Sequence, residues 1–220
     1  MRKKIIASCI DHTLLKPDVS FSQINQLCQE AQTYDFHSVC VNPSLINETY
    51  KQLKSTPVKI CSVVGFPLGA NISTSKLMEI ETCLNVGASE IDMVMNIGYF
   101  KDKKYKFVSE EISSMVDNAN GKIIKVIIEA GLLNKEEIIT ASQLVEDSGA
   151  HFVKTSTGFS DFGASPEIIE TIKSTLKSDT KIKASGGIKN LNQVEKLIDA
   201  GADRIGSSSG IIIMKELTDK

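Results

Sequence analysis

Short runs rich in Ile and Val recur along the chain, and most are followed by a longer stretch whose apolar residues are three and four positions apart. The short runs are apolar almost throughout, which is typical of parallel strands covered on both faces, and the longer stretches predict amphipathic helices. We predict strands at residues 6–10, 38–41, 59–64, 90–95, 123–128, 152–155, 181–184 and 204–206.

The predicted helices carry start and stop signals. Ser or Asn stands near the start of several of them, and Gly follows the end of several, as expected of N-caps and C-terminal caps. These helices cover residues 20–34, 73–87, 134–149, 165–177 and 190–201. We interpret the lysine-rich run at 101–106 as a solvated loop before a further helix.

Strand and helix alternate in units of roughly 25 to 30 residues, and eight such units predict an α/β protein with a closed (β/α)₈ TIM barrel. A doubly wound open sheet is the competing architecture, but the G-x-G-x-x-G turn typical after its first strand is absent, and IDHTLLKP stands there. A chain of 220 residues without an evident linker is expected to form a single domain over residues 1–220.

The charge balance excludes some classes of partner. Lys and Arg total 25 against 27 Asp and Glu, so no basic excess exists to bind nucleic acid. The apolar stretch near the N-terminus is too short for a signal peptide, and no segment approaches a membrane span. The five cysteines are odd in number and lack a C-x-x-C spacing, which favours free thiols and a cytoplasmic location.

Functional residues of a barrel lie at the C-terminal ends of its strands and in the loops that follow. Five ionisable residues interrupt the otherwise apolar strands 4 to 7, namely Asp92, Lys125, Glu129, Lys154 and Lys183. Burying a lysine costs several kcal/mol unless it is paired or loses its proton. Each lysine therefore pairs with a carboxylate, becomes neutral, or points outward if the register is shifted by one residue.

Two lysines on adjacent strands favour a chemical role. If Lys154 and Lys183 both point inward, each raises the free energy of protonating the other, and a neutral amine results. A neutral amine attacks carbonyls and forms a Schiff base. Asp92 is placed to transfer protons in such a reaction, although an ion pair with Lys125 or Lys154 that only neutralises the interior is the alternative.

The segments ASGGI and GSSSG each precede a helix at the ends of strands 7 and 8. Adjacent glycines let the backbone approach a ligand closely, and helix N-termini present free N–H groups to an anion. Ordinary turns use the same residues, but these two loops are a frequent phosphate site in barrel enzymes.

Several motifs together resemble the deoxyribose-phosphate aldolase family in order and spacing, over almost the whole chain. The motifs are IDHTLLKP, VCVNP, VVGFPLG, EIDMVMNIG, KVIIEAGLL, FVKTSTGF, KASGGI and DRIGSSSG. The resemblance implies a class I aldolase that needs no metal or other cofactor and interconverts 2-deoxy-D-ribose 5-phosphate with acetaldehyde and D-glyceraldehyde 3-phosphate. The expected partners are these small molecules, not nucleic acid or a membrane, and the chain is a possible homodimer or higher homo-oligomer.

The resemblance also implies roles for single residues. Lys154 forms the Schiff base, Lys183 tunes it and moves protons, and Asp92 is the third catalytic residue. Phosphate or substrate contacts fall on Thr157, Gly158, Gly186, Gly187, Ser207 and Ser208. Asp11 is expected near the substrate hydroxyls.

This chain departs from the family pattern at three places. Ala130 follows Glu129 where many members have Thr, Phe159 replaces a lysine that some members carry, and the chain ends MKELTDK without a terminal tyrosine. Cys40 is interpreted as a buried thiol, with modification by an aldehyde as the alternative. The three histidines lack a zinc-ligand spacing such as H-E-x-x-H, which disfavours a zinc-dependent aldolase.

Two other functions stay in competition with the aldolase. One is a different phosphosugar enzyme, either another aldolase or an isomerising or transaldolase-like activity, because the fold alone supports many chemistries. The other is a noncatalytic barrel that binds phosphometabolites. The pair of lysines with Asp92 argues against the second of these.

Overall fold

Eight parallel strands pair in chain order in the computed structural model, and the last strand pairs with the first to close a barrel. The structure describes residues 2–218. The strands are β1 (Ile10–Leu14), β2 (Ser38–Val41), β3 (Lys59–Val64), β4 (Glu90–Val94), β5 (Ile123–Ile127), β6 (Phe152–Lys154), β7 (Lys181–Ser185) and β8 (Arg204–Ser207).

Helices connect the strands and surround the barrel. They are α1 (Arg2–Ala7), α2 (Phe21–Thr33), α3 (Ile46–Leu53), α4 (Ser73–Asn85), α5 (Ile97–Lys101), α6 (Tyr105–Asn118), α7 (Lys135–Asp147), α8 (Pro166–Thr175), α9 (Leu191–Asp199) and α10 (Gly210–Thr218). Two short 3₁₀ turns, Pro43–Leu45 and Ala130–Leu132, follow β2 and β5. Among the described residues, no helix has the length and apolar content needed to span a membrane.

The predicted barrel is confirmed, and seven of the eight predicted strands match within one residue at each end. The five predicted helices are also present, with their ends inside the predicted limits. Polar side chains cap several of them, including Ser20 in a capping box with Gln23 before α2 and Asn134 in one with Glu137 before α7. These caps satisfy backbone N–H groups that have no partner within the helix.

The predicted first strand at residues 6–10 is wrong. Arg2–Ala7 forms α1, and β1 begins only at Ile10. Ile6 and Ala7 are buried whereas Ile5 is 53% exposed, so one face of a short helix produces the apolar run. A short apolar run does not distinguish a strand from a helix. The pairing with neighbouring strands shows where β1 lies, since Asp11 is opposite Ser38 in β2 and Gly206 in β8.

The register answers the question of which way the lysines point. Lys154 lies opposite Lys183, and Lys125 lies opposite Asp92. All four side chains point into the barrel, where they contact one another. The residues that alternate with them, such as Val153 and Ile182, belong to the apolar core between the strands and the helices. The barrel interior is therefore charged, and the hydrophobic core forms a shell around it.

Candidate active site

Asp92 on β4 is the centre of the charged interior. Its Oδ2 accepts hydrogen bonds from Lys154 Nζ and Lys183 Nζ, both at 2.7 Å, and its Oδ1 accepts one from Lys125 Nζ at 2.8 Å. The thiol of Cys61 also donates to Oδ1, at 3.1 Å. The structure thus brings together the three residues predicted to be catalytic, and Lys154 and Lys183 share a single carboxylate oxygen.

Two further carboxylates hold the lysines that lie beside Lys154. Lys183 Nζ lies 2.5 Å from Asp11 Oδ2, and Lys125 Nζ lies 2.7 Å from Glu90 Oε2. Arg204 joins this layer from β8, with Nη1 at 2.9 Å from Asp11 Oδ1 and 3.3 Å from Glu90 Oε2.

These contacts shift the pKa values of the buried groups. Burial alone would lower the pKa of Lys183, but the carboxylates of Asp11 and Asp92 raise it well above its usual value. Burial likewise opposes the charge on Lys125, yet Asp92 raises its pKa. The pKa of Asp92 would rise with burial, but Lys125, Lys154 and Lys183 hold it well below the usual range. Lys125 and Lys183 are therefore ammonium groups at neutral pH, and Asp92 is ionised.

Lys154 has fewer partners than its neighbours. Among the described residues, this network contains four basic side chains (Lys125, Lys154, Lys183, Arg204) and three carboxylates (Asp11, Glu90, Asp92). Lys125 and Lys183 each contact two carboxylates, whereas Lys154 contacts Asp92 alone. The four basic side chains outnumber the three carboxylates by one, and Lys154 is the lysine of this network with the fewest carboxylate partners.

A cavity of about 310 Å³ opens above this network. Of the three lysines, only Lys154 lines it. The other lining residues come from the C-terminal ends of β1, β7 and β8 and from the loops after β1, β6, β7 and β8. They are Thr13, Leu14, Leu15, Lys16, Thr157, Gly158, Phe159, Ser185, Gly186, Gly187, Ile188, Lys189, Gly206, Ser207, Ser208 and Ser209. The cavity thus joins Lys154 to all six residues predicted to contact substrate or phosphate, and Lys16 and Lys189 also line it.

The loops after β6 and β7 pack closely at the glycines. A Cβ at Gly163 would lie 2.1 Å from the carbonyl oxygen of Gly186, so only glycine permits this approach. Gly186 and Gly187 have φ values of +91° and +74°, which glycine adopts without strain. A Cβ at Gly187 would meet no atom within 4 Å. This loop therefore leaves open space beside an exposed backbone, in front of α9.

Asp11 does not line the cavity. It is fully buried, and its carboxylate is bound by Lys183, Arg204 and the hydroxyl of Ser38. Burial would raise the pKa of Asp11, but the charges of Lys183 and Arg204 hold it below its usual value. β1 begins later than predicted and carries Asp11 into the barrel interior beside Lys183, and its predicted place near substrate hydroxyls stays a prediction.

Three residues named in the sequence analysis lie at the edge of the site. Phe159 lines the cavity mouth, is 55% exposed and makes an edge-to-face contact with Phe66 at 5.2 Å between ring centroids. Ala130 is buried after β5, and Cys40 is buried beside Cys61. Of the tail that lacks a tyrosine, residues 219 and 220 lie outside the described part of the chain.

Metal-ligand atoms come together at one place in the described residues, at Cys40, Cys61 and Asp92, whose ligand atoms lie within 4.8 Å of one another. Both oxygens of Asp92 already accept hydrogen bonds from lysines. The ammonium groups of Lys125 and Lys183 would repel a further cation there. The donor set is therefore poorly suited to hold a metal ion.

Sequence reasoning missed several residues of the site. Thr13 to Lys16 line the cavity, and the rule that functional groups follow strand ends would have found them had β1 been placed correctly. Glu90 and Arg204 occupy the first positions of their strands, where their long side chains reach inward. Their pairing with Lys125 and Asp11 has no local sequence signal.

Known proteins resemble this chain over nearly its full length. A family model described as DeoC/LacD family aldolase matches residues 5–216. A deoxyribose-phosphate aldolase from Clostridium kluyveri is 50% identical over 217 residues, which cover 98% of this chain and 100% of that protein. One from Dictyoglomus turgidum is 48% identical over 217 residues, covering 99% of each.

A solved structure of an aldolase also resembles this chain over nearly its full length. The deoxyribose phosphate aldolase from Aeropyrum pernix, whose structure is described as tetrameric, is 33% identical to this chain. It superposes with a TM-score of 0.92 over 98% of this chain and 92% of that one.

Proposed function

The chain belongs to the DeoC/LacD family of aldolases, and on that basis we propose how its site works. The protein is a deoxyribose-phosphate aldolase: it reversibly cleaves 2-deoxy-D-ribose 5-phosphate to acetaldehyde and D-glyceraldehyde 3-phosphate. The observation that carries the mechanism is the position of Lys154, which shares Asp92 Oδ2 with a charged Lys183 and lines the cavity.

Lys154 is the nucleophile in this proposal. Its neutral Nζ attacks C1 of the open-chain sugar aldehyde, and the carbinolamine that forms loses water to give a protonated imine. Asp92 and Lys183 accept and supply the protons of these steps, directly or through a water molecule.

The imine then acts as an electron sink. A base removes the proton of the 3-hydroxyl, the C2–C3 bond breaks, and its electron pair forms an enamine on C2 and C1 while glyceraldehyde 3-phosphate leaves. Protonation of C2 and addition of water to the resulting imine release acetaldehyde and free Lys154. Asp92 and Lys183 lie beside the imine nitrogen, where a proton relay is needed in each step.

The phosphate end of the substrate lies against the loops after β6, β7 and β8 in our proposal. Gly158, Gly186 and Gly187 offer backbone at the cavity wall, and Ser207 and Ser208 precede the N-terminus of α10. Backbone N–H groups of such loops and helix N-termini stabilise an anion. Asp11 acts indirectly in this scheme, because it keeps Lys183 charged.

Turnover on defined substrates tests the activity. The purified chain is expected to release acetaldehyde from 2-deoxy-D-ribose 5-phosphate and to form that sugar from the two products. A sensor would bind the phosphosugar without turnover. A different phosphosugar enzyme would cleave or isomerise another sugar phosphate and leave this one unchanged. Either of these results would refute the proposed substrate.

We further propose that residues 1–220 form one aldolase domain that acts in the cytoplasm as a homo-oligomer. The family model spans residues 5–216, and the relative from Aeropyrum pernix is described as tetrameric. Light scattering on the purified protein is expected to give at least twice the chain mass of 24.0 kDa. A single-chain mass over a wide concentration range would contradict the oligomer.

A further inference from the structure

Glu129 has an unusual backbone and an unusual set of partners. It follows β5 with φ +48° and ψ +61°, in the left-handed region that non-glycine residues rarely adopt. Its side chain is 4% exposed. A buried carboxylate in a strained conformation needs strong local interactions to hold it there.

The carboxylate of Glu129 is satisfied by one loop. Oε2 accepts hydrogen bonds from the backbone N–H of Thr157 at 3.2 Å and from its hydroxyl at 2.5 Å, and Oε1 accepts one from the Ser160 hydroxyl at 3.0 Å. Among the described residues, no Lys, Arg or His forms an ion pair with Glu129, which distinguishes it from Asp11, Glu90 and Asp92 in the interior.

The loop that Glu129 binds, residues 157–160, is a wall of the cavity. Thr157, Gly158 and Phe159 line it, between Lys154 and the glycines after β7. The Thr157 hydroxyl also accepts a hydrogen bond from the Phe159 N–H at 3.1 Å. Gly158 has φ +85°, and a Cβ on it would lie 3.8 Å from the Cα of Gly186. The conformation of Gly158 thus depends on a neighbour that Glu129 holds in place.

We propose that Glu129 is a positioning residue, whose carboxylate holds the 157–160 loop in the conformation that receives the phosphate end of the substrate. It does not touch the reacting atoms, and it acts through Thr157 and Gly158. This inference rests on the proposed function, since it assumes a phosphorylated substrate in this cavity. It also explains a left-handed glutamate at the end of β5, where the 3₁₀ turn Ala130–Leu132 begins.

The test compares phosphorylated with unphosphorylated substrate. In Glu129→Ala, KM for 2-deoxyribose 5-phosphate is expected to rise about tenfold or more, the magnitude associated with losing hydrogen bonds to a charged group. KM for 2-deoxyribose should change much less, and so should the rate at which borohydride traps acetaldehyde on Lys154. A merely structural residue would alter all three measurements together.

Two variants make the test specific. Glu129→Gln is expected to restore most of the affinity, because the amide oxygen accepts both Thr157 bonds and the amide N–H₂ donates to the Ser160 hydroxyl. Glu111→Ala is the matched control, since Glu111 is equally buried but pairs with Lys76 between α4 and α6. It should lower stability without changing the preference for the phosphorylated sugar.

If Glu129→Ala does not fold, Ser160→Ala removes one of the three donors from a partly exposed position and should shift the same preference in the same direction. The inference is overturned if the variant that folds keeps the wild-type preference for 2-deoxyribose 5-phosphate over 2-deoxyribose. It is also overturned if KM for the phosphorylated sugar rises as much in Glu129→Gln as in Glu129→Ala. Failure of the wild-type protein to trap acetaldehyde on Lys154 would instead refute the proposed mechanism, so the two failures are distinguishable.

Discussion

In the proposed mechanism, the reactivity of Lys154 depends on the charged groups around it. Lys125 and Lys183 contact two carboxylates each, and Lys154 contacts one that it shares. Adding an ammonium group about 4 Å from another one costs about 4 kcal/mol at an effective dielectric constant near 20. The ammonium groups of Lys125 and Lys183 therefore set the electrostatic surroundings of Lys154.

Replacing Lys183 tests this dependence at the scale of one residue. In Lys183→Met the ammonium group that shares Asp92 Oδ2 with Lys154 is lost, so the proposed proton relay is broken. Imine formation with acetaldehyde is expected to slow about 10²-fold or more. Rapid-quench borohydride trapping measures that rate. Lys181→Met is the control, because Lys181 lies on the same strand but is exposed; equal rates in the two variants would contradict the account.

The carboxylates of the interior should make stability fall in acid. Burial would raise the pKa of Glu90, but the hydrogen bond with His37 and the charges of Lys125 and Arg204 lower it from 4.5 to about 2. The unfolded chain therefore takes up this proton first as pH falls, so the stabilisation is present above about pH 4.5 and is lost towards pH 2. We expect this group alone to contribute roughly 2 to 3 kcal/mol.

Urea unfolding at several pH values between 5 and 2 measures that loss. Glu90→Gln should be less stable at neutral pH and should lose less stability than the wild type as pH falls. Glu136→Gln, which changes an exposed glutamate at the start of α7, should keep the wild-type slope. Parallel slopes for wild type and Glu90→Gln would show that the network does not depend on this ionisation.

At the scale of elements, the loops after β7 and β8 are proposed to bind the phosphate group of the substrate. Gly187 and Gly121 share φ +74°, and a Cβ on either would meet no atom within 4 Å. Gly121 lies before β5, at the opposite end of the barrel. Gly187 and Gly121 therefore share the same φ and the same room for a methyl group, but only Gly187 lies at the cavity.

This pair separates backbone strain from ligand binding. Gly187→Ala and Gly121→Ala should each lose about 1 to 2 kcal/mol of stability, because an L-residue is strained in the left-handed region. Only Gly187→Ala should raise KM for 2-deoxyribose 5-phosphate, since its methyl group enters the cavity. Thermal unfolding and steady-state kinetics measure the two effects. An unchanged KM in Gly187→Ala would remove this loop from the phosphate site.

The elements also show what local sequence patterns can predict. Apolar runs located seven strands. Charged residues within those runs singled out Asp92, Lys154 and Lys183, which the structure brings together in the barrel interior, while their catalytic roles stay predictions. Residues 6–10 were misplaced because the apolar face of α1 is as short as a strand. The left-handed backbone conformation of Glu129 could not be predicted from the sequence, because glutamate has no local preference for that conformation.

At the scale of the whole molecule, barrel closure assembles what no segment contains. Asp11 and Arg204 are 193 residues apart in sequence and form a 2.9 Å hydrogen bond only because β8 pairs with β1. Asp11 in turn raises the pKa of Lys183, which lies beside Lys154. The positive charge beside the proposed nucleophile therefore depends on the closed barrel, and it cannot be derived from the motif around Lys154 alone.

Borohydride trapping followed by peptide mass spectrometry tests the central claim most directly. After incubation with acetaldehyde and reduction, the peptide that contains Lys154 should carry one added ethyl group, and the adduct should be absent from Lys154→Ala. Lys181, an exposed lysine on the neighbouring strand, should stay unmodified in the same sample. Imine catalysis at Lys154 would be contradicted if the protein turned over 2-deoxyribose 5-phosphate while Lys154 stayed unmodified after reduction. Full activity of Lys154→Ala would contradict it as well.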